Sequence, residues 1–87
     1  MSDASIQRLR AQIAEQDRVV VDAVNTRLRL VAELKRHKDD AGIDFVDPEQ
    51  EERLLQTLAD ANTGPLSGDG LRALFEEILA LTKREVS

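Results

Sequence analysis

From Ser5 to Ala41 the chain runs without proline or glycine, and its apolar residues recur at three- and four-residue steps. Ile6, Leu9 and Ile13, then Val20, Val24, Leu28, Val31 and Leu34, fall on one face of a helix at that spacing. The run Val19-Val20-Val21 alone favours a strand, because β-branched residues suit sheets. No turn residue flanks it and helical periodicity continues on both sides, so one long helix is predicted. Asp3 and Ser5 are its candidate N-caps. The pattern breaks over Asp39 to Val46, with Gly42 placed to cap the helix end. Asp47-Pro48-Glu49-Gln50 then reads as a helix start: Asp at the cap, Pro at the first helical position, Gln three after the cap. This second helix carries Leu54, Leu55 and Leu58 and stops at Asn62-Thr63-Gly64-Pro65. Ser67 can cap a third, with Leu71, Leu74, Phe75, Ile78, Leu79 and Leu81 facing inward. Gly68 and Gly70 weaken its first turn, by up to about 1 kcal/mol each. The predicted fold is all-α: one long and two shorter helices in a single domain spanning residues 1–87.

The first helix is too long for a monomer of this size. About 36 residues at 1.5 Å rise span roughly 54 Å. A compact chain of this length has a radius of gyration of about 12 Å, hence a diameter of roughly 30 Å. A stripe of apolar residues would project beyond its own globule, and a second copy is the natural cover. An intertwined two-fold homodimer is therefore expected, with sites that borrow residues from both chains. A core built from 87 residues also gains from oligomerisation.

Interruptions of the stripe carry the chemical signal. Asp17 stands where an apolar residue is due. Arg27 and Lys38 are eleven residues apart and point within roughly 20° of each other, whereas Arg10 points about 100° away from Arg27. Cations near an inward face are costly unless an anion meets them.

Composition narrows the chemistry. Net charge is −5 and two Phe are the sole aromatics. The basic face and stacking platforms of nucleic-acid binders are missing, so no nucleic acid is expected. There is no cysteine, which removes disulfides and thiolate chemistry and fits a reducing compartment. The N-terminus lacks the pattern of a signal peptide, and no apolar run approaches the roughly 20 residues of a membrane span, so a cytoplasmic protein with no membrane association is expected. His37, the one histidine, lies in a charged run and reads as an ordinary exposed side chain; metal sites and histidine-based triads are disfavoured. Gly64, Gly68 and Gly70 lack phosphate-loop spacing. Glu51/Glu52 and Glu76/Glu77 are adjacent, do not share a helix face, and read as solvated. What remains is a site for a small dianion made by Arg10, Arg27 and Lys38, with Arg10 acting across the dimer. Such a site can catalyse by selecting a conformer and stabilising developing charge, with no cofactor. The alternative is that these long side chains flank a helical seam and pair with acids.

The ordered set Leu9-Arg10-x-x-Ile13-x-x-x-Asp17, Asn25-x-Arg27-x-x-Leu30-Val31-x-Glu33-Leu34, Lys38, Gly42, Asp47-Pro48, Glu51, Asn62-x-Gly64-Pro65-Leu66 and Leu74-Phe75-x-x-Ile78 resembles the all-helical, AroQ-class chorismate mutases over nearly the full chain. The resemblance implies an intertwined dimer and a pericyclic rearrangement of chorismate to prephenate, a step of aromatic amino-acid biosynthesis in the shikimate pathway that needs no nucleophile, metal or cofactor. It implies that Arg10 enters the partner's site to hold one carboxylate and that Arg27 clamps the other. Lys38 would donate to a carboxylate and to the breaking ether oxygen. Glu51 and the backbone near Asp47 would bind the substrate hydroxyl, and Thr82 would line the pocket.

Two positions depart from the family pattern. Gln50 stands where an arginine is usual, and reads either as a capping residue or as a pocket residue. Val86 stands where Gln or Glu is common and cannot donate to the ether oxygen; Glu85, next to it, is the candidate substitute. An incomplete C-terminal contact suits activation by a partner enzyme, a DAHP synthase. Two further readings stand beside this one. One is a relative acting on a similar acid, an isochorismate-pyruvate lyase or aminodeoxychorismate mutase. The other is a non-catalytic helical dimer docking on a shikimate-pathway enzyme.

Overall fold

The computed structural model describes residues 3–86, which form three helices: α1 over Asp3–Ala41, α2 over Pro48–Ala61 and α3 over Gly68–Val86. The all-α expectation of one long and two shorter helices is met, and Val19-Val20-Val21 is helical. The first boundary differs. Asp3 and Ser5 already lie within α1, so neither caps it; Asp3 instead sits in the first turn, where its negative charge complements the helix dipole.

Packing divides the chain into two compact units, Met1–Leu30 and Val31–Ser87. Among the described residues, the amino-terminal unit is helix alone. Its apolar stripe is open: Ile13 is 61% exposed and Val20 59%, and α1 contains no buried residue. Charged side chains pair along its surface, Arg18 with Glu15 one turn apart, a class of contact that contributes little.

The second unit begins with the last turns of α1. Gly42, at φ +69, takes the left-handed conformation that ends the helix. Its N–H donates to the Asp39 carbonyl at 3.2 Å and that of Ile43 to the Lys38 carbonyl at 2.8 Å. Phe45 is held in the connector by two side chains of α1: Lys35 lies 5.8 Å from its ring centroid, and Lys38 donates to its carbonyl at 3.3 Å. Asp47 caps α2, its carboxylate accepting from the Gln50 backbone N–H at 3.1 Å, with Pro48 in the first turn.

Asn62 closes α2 and staples the turn beyond it. Its N–H donates to the Leu58 carbonyl at 3.0 Å, its side-chain amide donates to the Leu66 carbonyl at 2.8 Å, and its side-chain oxygen accepts from the Gly64 N–H at 3.0 Å. Ser67 then caps α3 as its sequence suggests, its hydroxyl accepting from the Gly70 N–H at 3.0 Å. Gly70 has a packing reason to be glycine. A Cβ there would lie 3.0 Å from both the Leu66 side chain and the Ser67 hydroxyl oxygen, whereas one at Gly68 would meet nothing within 4 Å.

α2 packs against α3. Leu55 from α2 and Leu71 from α3, each 6% exposed, are the buried apolar residues among those described; burying one such side chain contributes about 2 kcal/mol. Arg72 of α3 ties the pair by donating to Glu52 at 2.8 Å. Leu74, expected to face inward, is 49% exposed in the single chain: three residues beyond Leu71, it is turned about 60° off the Leu71 direction. No helix among the described residues is long and apolar enough to cross a membrane.

Candidate functional site

In the amino-terminal unit, α1 presents Arg10, which is exposed, and Arg27, which is half-buried. Both sit on unbroken helix, so their spacing along α1 is fixed by its rise and twist.

Most other candidates fall in the second unit. Lys38, in the last full turn of α1, is half-buried and bonded to the neutral Phe45 carbonyl. Its neighbour Lys35, by contrast, is engaged by a carboxylate, Asp39 at 2.9 Å. Asp47 is committed to capping α2. Gln50 does not close a capping box with its side chain: the amide oxygen turns forward to accept from Arg53 Nε at 3.1 Å and Nη2 at 2.9 Å. The position where a pocket arginine or a cap is expected is thus occupied by an exposed amide serving its own helix.

Between α2 and α3 lies an open groove of about 310 Å³, lined by Pro48, Glu51, Glu52, Leu55, Glu76, Leu79, Ala80 and Lys83. Of the residues singled out from the sequence for a site, Glu51 lines it. Adjacency to Glu52 predicts a solvated acid at Glu51; instead its side chain is 28% exposed and it accepts an ion pair from Lys83 at 2.9 Å. Glu52 and Glu76 are both engaged by Arg72, at 2.8 and 3.9 Å. The hydrogen bond from Arg72 to Glu52, and then the charge of Glu52, hold that guanidinium above the ordinary arginine range. The groove wall therefore carries three carboxylates and one ammonium, and cannot by itself attract a dianion. The cations singled out from the sequence, Arg10, Arg27 and Lys38, all lie on α1.

Lys83 is the residue sequence reasoning missed. The signal was present, since Lys83 continues the four-residue steps Leu71, Phe75 and Leu79 along α3. A cation on an inward stripe is what draws attention to Arg27, and the same test applied to α3 selects Lys83. Thr82, expected to line a pocket, is 5% exposed, and its hydroxyl donates to the Ile78 carbonyl one turn back at 2.6 Å. It is not among the groove-lining residues, and neither are Glu85, which is exposed, and Val86, which is half-buried in the last turn of α3. No group of three or more His, Cys, Asp or Glu able to hold a metal ion occurs among the described residues.

The chorismate mutase type II family model matches residues 9–86. Two solved structures of chorismate mutase from Thermus thermophilus resemble the chain closely. Form II has a TM-score of 0.88 at 32% identity, covering 92% of this chain and 91% of that one. Form I has a TM-score of 0.87 at 33% identity, covering 90% and 98%. No curated protein matches the chain. A fold of one long and two short helices, with its candidate cations all inside the matched span, thus places this chain in the chorismate mutase type II family.

Proposed function

We propose that the chain rearranges chorismate to prephenate as a cytoplasmic homodimer. The observation that carries this is the family match over residues 9–86, a span holding Arg10, Arg27, Lys38, Asp47 and Glu51. The reaction breaks one carbon–oxygen bond and forms one carbon–carbon bond within a single molecule, so positioning and charge stabilisation suffice. Arg27 and the partner's Arg10 clamp the two carboxylates. Each guanidinium offers two parallel N–H donors to a carboxylate, which fixes direction as well as charge. Lys38 exchanges its bond with the Phe45 carbonyl for the ether oxygen that becomes negative. Glu51 and the backbone at Asp47 take the substrate hydroxyl.

The homodimer rests on the exposed apolar residues Ile6, Leu9, Ile13 and Val20 along one helix face, a surface of the kind that marks an interface. The end of α3 offers Val86 and Glu85 where a neutral donor to the ether oxygen would serve, so turnover of the dimer alone is slow, and contact with a DAHP synthase raises it by ordering that last turn. Loss of chorismate ultraviolet absorbance with prephenate as product tests the activity. Absence of turnover, with and without the synthase, would remove the reading; a synthase titration that leaves the rate unchanged would remove the partner alone.

A further inference from the structure

We propose that Lys83 is a positioning residue for substrate, acting through Glu51. The inference rests on the reading of Glu51 as the acceptor of the substrate hydroxyl. Three carboxylates, Glu51, Glu52 and Glu76, line the groove between α2 and α3, and among the described residues Lys83 is the one cation lining it. Arg72 answers Glu52 and Glu76, which leaves Glu51 to Lys83, 2.9 Å away. The two side chains come from different helices, α2 and α3, so their bond fixes Glu51 against a packed neighbour and not merely against its own helix. Glu51 is the more enclosed partner, at 28% exposed against 42% for Lys83. One carboxylate has two oxygens and about four lone-pair directions. One oxygen held by the ammonium leaves the other oriented for a hydroxyl donor, while the ammonium offsets a negative charge that would otherwise repel a dianionic substrate.

The test is a double-mutant cycle read through KM and kcat separately, with Lys83→Met, Glu51→Ala, the double variant, and Lys83→Arg as the conservative change. A partly exposed pair predicts a modest effect: KM for chorismate rises about three- to fivefold in Lys83→Met with kcat little changed. Lys83→Arg should restore KM to within about twofold, because the charge and hydrogen bond return. In the Glu51→Ala background, Lys83→Met should add nothing. Unchanged KM in Lys83→Met, or a failure of Lys83→Arg to rescue it, overturns the proposal. So does an equal Lys83→Met effect with and without Glu51, which would mean that Lys83 meets the substrate directly. If Glu51→Ala itself leaves KM and kcat unaltered, it is the reading of Glu51 that fails. Circular-dichroism melts of all four variants separate these outcomes from loss of fold.

Discussion

The two compact units solve opposite problems. Val31–Ser87 closes its own helix ends and buries a small core: Asp47, Asn62 and Ser67 each answer a helix end, Leu55 and Leu71 are buried, and the groove acids have cations within reach. Met1–Leu30 is, among its described residues, a helix with a bare apolar stripe and no buried residue. Chemistry follows the same division. The second unit is rich in carboxylates around its groove, and the bare helix carries Arg10 and Arg27. On the proposed roles, substituting Arg10 or Arg27 should therefore harm activity far more than stability, whereas Lys38, which lies in the second unit and holds Phe45, belongs to both.

Breaking the bare helix should have the largest consequence. Ile13→Asp puts a charge on the stripe that the proposed dimer buries, at a cost of several kcal/mol. Sedimentation should find monomer, and chorismate turnover should vanish while helical content of the second unit persists. A wild-type chain that sediments as a monomer at micromolar concentration would dissolve the comparison altogether. Next come the cations. Arg27→Ala and Lys38→Ala should each slow chorismate loss by about 10²–10³-fold, with a stability change near 1 kcal/mol for Lys38, which loses its bond to Phe45. Equal losses of rate and of melting temperature would show both to be structural residues.

Leu55→Ala addresses the second unit. Removing a buried leucine should cost about 2–3 kcal/mol of unfolding free energy in a denaturant titration, with kcat little altered below the transition. The smallest effects divide two glycines of one turn. Gly68→Ala should stabilise by about 0.5 kcal/mol, since its Cβ meets nothing within 4 Å and the unfolded chain loses freedom. Gly70→Ala should give no gain or a small loss, because its Cβ lands 3.0 Å from Leu66 and Ser67. Thermal melts of the pair decide this.

The fold was legible because its signals are local. Pro48 after Asp47, Gly42 after Ala41, and Asn62 before Gly64-Pro65 each act within four residues of themselves, and period alone carried α1. Legibility failed where a side chain chooses among partners. Gln50 has the right position for a capping box, yet Arg53 competes for its amide from one turn ahead. Thr82 matches a pocket position, and nothing in its sequence shows that its hydroxyl donates back to its own helix at Ile78. Glu51 sits beside Glu52 in sequence, which suggests a solvated acid, yet it is engaged by Lys83 from 32 residues away (83 − 51). Leu74 shows a different gap: period locates an inward stripe without saying how far it is covered.

Lys38 holds the Phe45 carbonyl at 3.3 Å, and on its proposed role that oxygen would compete with the ether oxygen for the ammonium. A peptide carbonyl and an unreacted ether oxygen are both neutral acceptors, so the ammonium gains little by trading one for the other. As the ether bond breaks, its oxygen acquires charge, and charged acceptors bind an ammonium about twice as strongly. The trade turns favourable only as the bond is breaking. A resident neutral acceptor thus subtracts about equally from the binding of substrate and of its transition state, so on the proposed role the rate preference comes from the extra strength of the charged acceptor alone.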